Sequence, residues 1–118
     1  MYAYEIPNMR FSLPAGGAVA QHRFVSVAND AAIQATAATA VVGASMNEVT
    51  ENEVAADKRI VEIADGIVMV EAAAAITSGA VVYADADGKA TTTKGTSEAA
   101  GIAITAATGA GNIIAVKI

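Results

Sequence analysis

The side chains that could do chemistry in this sequence are one histidine and a set of acids. His22 is the only histidine, and there is no cysteine. A zinc site needs several nitrogen or sulfur ligands. A solitary histidine within a strand-like run is more often structural than catalytic. The sequence therefore predicts neither a zinc site nor a catalyst built on histidine, and without cysteine there are no disulfides and no thiol chemistry.

Two acidic segments invite a calcium hypothesis. Segment 47–58 carries four acids, and Asp85-Ala86-Asp87-Gly88 resembles a fragment of a calcium loop. Such a loop needs alternating acidic or amide ligands, a central glycine and a closing glutamate. Neither segment has that order. We interpret the first as a solvated acidic loop and the second as a hairpin turn. The four acids of the first segment are Glu48, Glu51, Glu53 and Asp57.

Other candidate reactive groups are equally weak. Glu62 and Glu71 flank strand-like runs on outward positions, and a carboxylate pair works as acid and base only in a cleft that shifts its pKa values. The glycine-rich stretches 95–101 and 109–111 lack a following Gly-Lys-Ser/Thr, so they do not predict a phosphate site. We expect both stretches to be loops and the protein not to be an enzyme.

The elements that must position these residues are short β-strands. Residues 76–118 contain three β-branched runs separated by turn residues, the usual strand signal. Asp87-Gly88 marks a hairpin, because glycine supplies the positive φ of a tight turn, and Ser78-Gly79 marks another turn. Asp65-Gly66 predicts a further hairpin between 60–63 and 67–70. Segment 31–39 is compatible with a short helix or with a strand, and strand is favoured.

A weaker copy of this stretch occurs about 58 residues earlier, which indicates an internal pseudo-repeat. We therefore predict an all-β fold, either a small β-barrel or a β-sandwich of short antiparallel strands. The aligned segments are Phe24-Val25 with Val82-Tyr83, Asn29-Asp30 with Asp87-Gly88, and 43–46 with 101–104.

Composition narrows the class of protein. The 118 residues carry a net charge of −5, which argues against nucleic acid and anionic membranes as partners. No run reaches the roughly 20 apolar residues of a membrane span, and residues 1–7 do not resemble a secretory signal. We expect a protein made in a cytoplasm. Alanine makes up about a quarter of the chain, so the core is thin and neighbouring subunits should add stability.

The N-terminal segment is distinct. Three of the five aromatic residues lie within the first 11 positions, and Pro7 and Pro14 bracket its second half. Proline favours extended, unpaired backbone, and aromatic residues are favoured interface anchors. The segment is either an edge strand on its own domain or, as we predict, an extended arm over 1–17 that docks on another protein, with residues 18–118 as the body.

The order of these motifs resembles the capsid decoration, or capsid cement, proteins of tailed bacteriophages. The resemblance covers roughly residues 18–118. It is carried by Val41-Val-Gly43, Ile60-Val-Glu-Ile63, Asp65-Gly66-Ile67, 74–83 with its Ile-Thr-Ser-Gly turn, Asp87-Gly88-Lys89-Ala90, Ala100-Gly101-Ile-Ala103 and 113–116.

The resemblance implies a structural virion protein without catalytic residues, metal or cofactor. Such proteins bind the outer surface of an assembled, expanded capsid, bridge neighbouring major capsid proteins, and commonly form homotrimers. An N-terminal segment often makes the capsid contact, which would here involve Tyr2, Tyr4, Ile6 and Phe11. The alternative is a non-viral β-barrel binding or adaptor module.

Overall fold

The computed structural model describes residues 5–56, 60–96 and 98–118, and these form nine β-strands and one short helix. The prediction of an all-β fold is confirmed. The strands belong to one curled sheet in the order β3-β2-β4-β5-β9-β8-β6-β7, with β1 paired to β5. The elements are β1 (Ile6–Pro14), β2 (Phe24–Ala28), β3 (Ala31–Gln34), β4 (Gly43–Ser45), α1 (Glu51–Ala55), β5 (Ile60–Glu71), β6 (Val81–Ala84), β7 (Ala90–Thr91), β8 (Gly101–Ala103) and β9 (Ile113–Lys117).

The sheet is built from two copies of one strand pattern. In the first repeat β2 pairs with β3 and β4, and β4 pairs with β5. In the second repeat β6 pairs with β7 and β8, and β8 pairs with β9 in the same way. The pairing of β1 with the first half of β5 is matched by that of the second half of β5 with β9. The predicted pseudo-repeat is therefore present in the strand pairing.

The isolated β-bridges also occur in matching pairs, and these pairs show which residues of the two repeats are equivalent. Ala15 bridges Ala32 as Ala72 bridges Ala90, and the antiparallel bridge of Val19 with Val49 matches that of Ile76 with Ala107. Each repeat therefore curls toward a half-barrel, closer to the predicted barrel than to two stacked sheets. Equivalent residues of the two repeats are 57 positions apart up to the first hairpin and 58 apart from β3 to Val49. The extra position arises because the loop between β6 and β7 is longer than the loop between β2 and β3. Val25 thus corresponds to Val82, one residue from the alignment that the sequence suggested.

The hairpin predicted at Asp65-Gly66 is wrong. The chain continues through these residues as one 12-residue strand, β5. Gly66 has a φ of 112°, and its N–H donates to Asp65 Oδ1 at 2.8 Å. The register with β1 shifts at this point, between Pro7 and Met9. The glycine therefore absorbs an irregularity in a continuous strand, where the last strand of the first repeat becomes the first strand of the second.

The other predicted turns are confirmed. Asn29 and Asp30 both have positive φ, 53° and 61°, and join β2 to β3 as the two-residue hairpin of the mirror-image turn type. Gly88, with a φ of 73°, lies in the loop between β6 and β7. Asp85 organises that loop, because its carboxylate accepts from the N–H groups of Asp87 and Lys89 at 2.8 and 2.9 Å.

Segment 31–39 begins with a strand, and the acidic loop contains a short helix. The favoured strand is confirmed for Ala31–Gln34, and a turn follows it. The acidic loop contains the helix α1, which begins with a capping box. Thr50 Oγ1 accepts from the Glu53 N–H, and the Glu53 carboxylate accepts from the Thr50 N–H at 3.2 Å. The local pairing of Thr50 with Glu53 is the usual start signal of a helix.

Two apolar clusters hold the sheet together. The smaller cluster fills the inside of the first repeat. The larger cluster fills the inside of the second repeat and also includes residues from the first. Alanine contributes many members, as the composition predicts. The fully buried members of the smaller cluster are Val19, Val25, Ala32, Val49, Val61 and Ile63, while those of the larger include Phe24, Ala44, Ala64, Val68, Val70, Val82, Ile114 and Val116.

Candidate functional site

The N-terminal contact predicted from the sequence is described only in part. Tyr2 and Tyr4 lie outside the described residues. Ile6 is the first residue of β1 and pairs with Ile67 in register. Phe11 pairs with Ile63, and its half-buried ring packs against the smaller cluster. From Ile6 to Pro14 the segment is therefore a strand of the sheet, and the ring of Phe11 is only partly available to a partner.

His22 has a backbone role. Its φ is 60°, and it occupies the position that Gly79, with a φ of 87°, occupies in the second repeat. The His22 N–H donates to the Ser45 carbonyl as the Gly79 N–H donates to the Ala103 carbonyl, at 3.0 and 2.7 Å. The His22 carbonyl also accepts from the Glu71 N–H at 2.8 Å. The residue thus links β2, β4 and β5, which supports the structural interpretation of this histidine.

The charged cluster of the molecule lies where the two repeats meet. Glu71, at the end of β5, contacts Arg23 Nη2 at 3.4 Å and Lys89 Nζ at 3.2 Å. Arg23 Nη1 also donates to the Asp87 carbonyl at 3.1 Å. Arg23 precedes β2 in the first repeat, whereas Asp87 and Lys89 lie in the second. The cluster therefore fastens the hairpin loop of the second repeat to the first.

Burial and ion pairing act in opposite directions on the Glu71 carboxyl. Burial alone raises its pKa, but the Lys89 hydrogen bond and the Arg23 charge outweigh that effect and hold the pKa below its usual value of 4.5. A lowered pKa in the folded state stabilises the fold while the group is ionised in both states. That contribution is present above about pH 4.5 and is lost as the pH falls through the lower folded-state pKa.

We therefore expect Glu71→Gln to lower the melting temperature at neutral pH, and we expect this difference to become smaller as the pH falls below about 4.5. Thermal unfolding of both proteins across this range measures the difference. Glu48→Gln, at an exposed acid of the loop before α1, is the control and should leave the melting temperature nearly unchanged throughout. A Glu71→Gln difference that does not shrink on acidification would show that the ion pairs do not stabilise the fold.

A row of three exposed residues, two aliphatic and one lysine, crosses the outer face of the second repeat. Val81 on β6 lies directly opposite Ile102 on β8, and Ile102 lies opposite Lys117 on β9. Val81 is 43% exposed and Ile102 39% exposed, and Lys117 is also exposed. We call these three residues the second outer face. Paired exposed aliphatic residues on a sheet indicate an interaction surface more strongly than single ones do.

This face was not predicted from the sequence, although the sequence contains a signal for it. Val81-Val82 and Ile113-Ile114 are adjacent apolar pairs. Successive residues of a strand point to opposite faces, so one member of each pair faces outward unless both sides of the sheet are covered. Val82 and Ile114 are buried, whereas Val81 and Ile113 are exposed.

Within residues 5–56, 60–96 and 98–118, no group of three or more His, Asp or Glu side chains is placed to hold a metal ion. In the same residues no helix has the length and apolar character needed to cross a bilayer.

Comparison with known proteins identifies the family of this chain. A family model described as phage cement protein matches residues 5–118, whereas no curated protein matches. Among solved structures, the head fiber gp8.5 N base of bacteriophage phi29 is similar, with a TM-score of 0.69 and 18% identity over 93% of this chain and 92% of that chain. At that identity the likeness shows a shared fold. Because the family match spans nearly the whole chain, the protein belongs to the phage cement protein family and is a structural protein of the phage capsid surface.

Proposed function

We propose that this protein binds the outside of an assembled capsid and stabilises the shell by bridging neighbouring copies of the major capsid protein. The observation that carries the proposal is the family match over residues 5–118. A shell protein is present in many copies, so modest affinity at each contact becomes effective through multivalency. The net charge of −5 helps to keep free copies soluble.

Residues 1–17 are proposed to make the capsid contact, with residues 18–118 as the body. The contact residues are Tyr2, Tyr4, Ile6 and Phe11. Aromatic residues supply large contact areas, and three of the five in this chain lie in this segment. Because β1 is paired to β5 from Ile6 onward, the body presents this segment from a fixed position. Phe11 adds only the part of its side chain that the smaller cluster leaves exposed.

The remaining parts of the proposal concern partners and activity. We infer that the body associates with copies of itself, as a homotrimer, because an alanine-rich core gains from neighbouring subunits. The acidic balance disfavours nucleic acid and anionic membranes as partners. The protein acts without catalysis, and the backbone position of His22 between three strands supports a structural role for its one histidine.

The test is to mix purified protein with expanded, undecorated capsids, to pellet the shells and to count bound copies. Saturation at a fixed ratio to the major capsid protein, with a rise in the temperature at which shells disrupt, is the expected result. Absence of co-pelleting would overturn the proposal that the protein binds and bridges the assembled shell.

The contact segment is tested in the same assay with Tyr2→Ala/Tyr4→Ala. Loss of two interface anchors is expected to weaken capsid binding by about 30-fold or more. Ile60→Ala removes part of an exposed aliphatic side chain on β5, 48% exposed, and serves as the control. Unchanged binding of the tyrosine variant would remove these residues from the contact. Limited proteolysis gives a second readout, because cleavage in residues 1–17 should slow when the protein is bound.

A further inference from the structure

The two repeats differ in what covers them, although their strands match. On the first repeat, Phe24, Ala44 and Ala64 lie directly opposite one another on β2, β4 and β5. They occupy the positions that Val81, Ile102 and Lys117 occupy on the second repeat. We call Phe24, Ala44 and Ala64 the first outer face. The same structural row therefore occurs twice in the chain.

The first outer face is covered by the second repeat. Its three residues are 0%, 1% and 0% exposed and belong to the larger cluster, together with Val68 and Val70 from inside the second repeat. The Phe24 N–H also donates to the Gly88 carbonyl at 2.8 Å. In this chain the outer face of one repeat thus closes the inside of the other.

Within residues 5–56, 60–96 and 98–118, no segment covers the inside of the first repeat in the same way. Each of five residues at its opening is more exposed than its counterpart in the second repeat. Val27 is 46% exposed, whereas Ala84 is 2% exposed, and Phe11 and Leu13 are half-buried, whereas Val68 and Val70 are fully buried. We call these residues the first rim. The first rim consists of Phe11, Leu13, Ala15, Val27 and Val42, matched by Val68, Val70, Ala72, Ala84 and Ala100.

Within the chain, the first outer face packs on the inside of the second repeat. Each molecule consequently has two further surfaces of the same kinds, the second outer face and the first rim, that are not used in this contact. Among the described residues, the second outer face covers no other part of the chain, and no part of the chain covers the first rim. Both surfaces expose aliphatic side chains, with Val81 and Ile102 at 43% and 39% exposure and Val27 of the rim at 46%. Lys117 is the charged member of the second outer face. Burial of aliphatic surface of this kind favours association.

We propose that the second outer face of one copy covers the first rim of a second copy, in the arrangement that joins the two repeats within each chain. This deepens the proposed function, because it rests on the proposed self-association and specifies its surfaces. The contact is head to tail and uses two different surfaces. An open row of copies therefore has one uncovered outer face at one end and one uncovered rim at the other. In a closed ring every outer face covers a rim, as in heterologous oligomers in general.

The test uses one charge in each surface. Val81→Glu alters the second outer face and Val27→Glu the first rim, and both positions are exposed in the single chain, so folding is retained. Phe11 is avoided because it belongs both to the first rim and to the proposed capsid contact, so its substitution would not separate the two proposals. Ile60→Glu, at a position of 48% exposure outside both surfaces, is the matched control. Sedimentation velocity measures the oligomeric state, and thermal unfolding checks the fold.

The wild-type protein and Ile60→Glu are expected to associate. Val81→Glu and Val27→Glu should each be monomeric by themselves, with self-association weakened by about 100-fold or more, because each variant places a charge in a contact formed mainly by aliphatic side chains. An equimolar mixture of the two variants retains one intact outer face and one intact rim. The mixture should therefore form a dimer and nothing larger.

Three results would overturn the proposal. These are a monomeric wild-type protein, association of Val27→Glu alone as strong as that of the wild type, and no dimer in the mixture. The second result would indicate a face-to-face contact of two second outer faces. Capsid pelleting separates this proposal from the proposed function. Head-to-tail association without capsid binding would refute only the latter, and capsid binding by a protein that never associates in this way would refute only the former.

Discussion

Replacing Phe24 with alanine is expected to lower the free energy of unfolding by about 3–5 kcal/mol, the range for aromatic residues removed from a core. The ring is fully buried where the repeats meet, and its neighbours across the strands, Ala44 and Ala64, are too small to fill the space. Domains of this size are stable by only about 5–15 kcal/mol. The substitution therefore removes a large part of the stability.

Urea unfolding measures this loss, and the chain supplies its own control. Val81 occupies the position of Phe24 in the second repeat but is 43% exposed. Val81→Ala should thus change the free energy of unfolding of the single chain by about 0.5 kcal/mol or less, as exposed substitutions usually do. Measurements at low protein concentration keep self-association out of the comparison. Similar losses at the two positions would contradict the covering of the first repeat by the second.

Gly101→Ala and Gly43→Ala are expected to destabilise the fold by about 1–3 kcal/mol each or more, the usual range for overpacking. A Cβ at Gly43 would lie 2.6 Å from the Ala64 carbonyl oxygen and 2.6 Å from Ile63 Cγ2. A Cβ at Gly101 would overlap the carbonyl oxygen of Lys117. The contacts with the carbonyl oxygens of Ala64 and Lys117 involve the backbone of the paired strand, so no side-chain movement relieves them.

Two other glycines give the opposite expectation and serve as controls. A Cβ at Gly17 or Gly109 would meet no atom within 4 Å, and neither residue is among the glycines with positive φ. Alanine at compatible sites stabilises by about 0.4–1 kcal/mol, because it restricts the unfolded chain. The melting temperature should thus fall for Gly43→Ala and Gly101→Ala and rise for Gly17→Ala and Gly109→Ala. A shift of the same sign for all four would refute the steric explanation.

Local chemistry explains which parts of the fold could be predicted. Asn29-Asp30 and Asp87-Gly88 specify turns through their own backbone preferences, so they were found without knowledge of the partner strands. The same preferences caused the error at Asp65-Gly66. A residue that permits positive φ suits a chain reversal and also an irregularity within a strand, and only the pairing of β1 and β9 along β5 distinguishes the two.

The candidate surfaces depend on tertiary packing, which limits what the sequence reveals about them. Phe24 and Val81 are both apolar residues at the start of a strand, yet one is buried and the other exposed. The difference arises because the second repeat lies on the first, whereas no part of the chain that the structure describes lies on the second outer face. Aromatic composition suggested the N-terminal contact, but it could not show that Phe11 would pack against Ile63 and Val61 of its own domain.

The sharing of β5 between the repeats sets the order in which the chain can fold during synthesis. Strand β1 pairs with residues 60–67. At about 5–20 residues per second, it waits for several seconds before its partner strand has been made. The inside of the second repeat closes later still, because Ile114 and Val116 come from β9. Until then β5 and β6 expose their apolar residues to solvent, and chaperones that bind such segments would act in this interval.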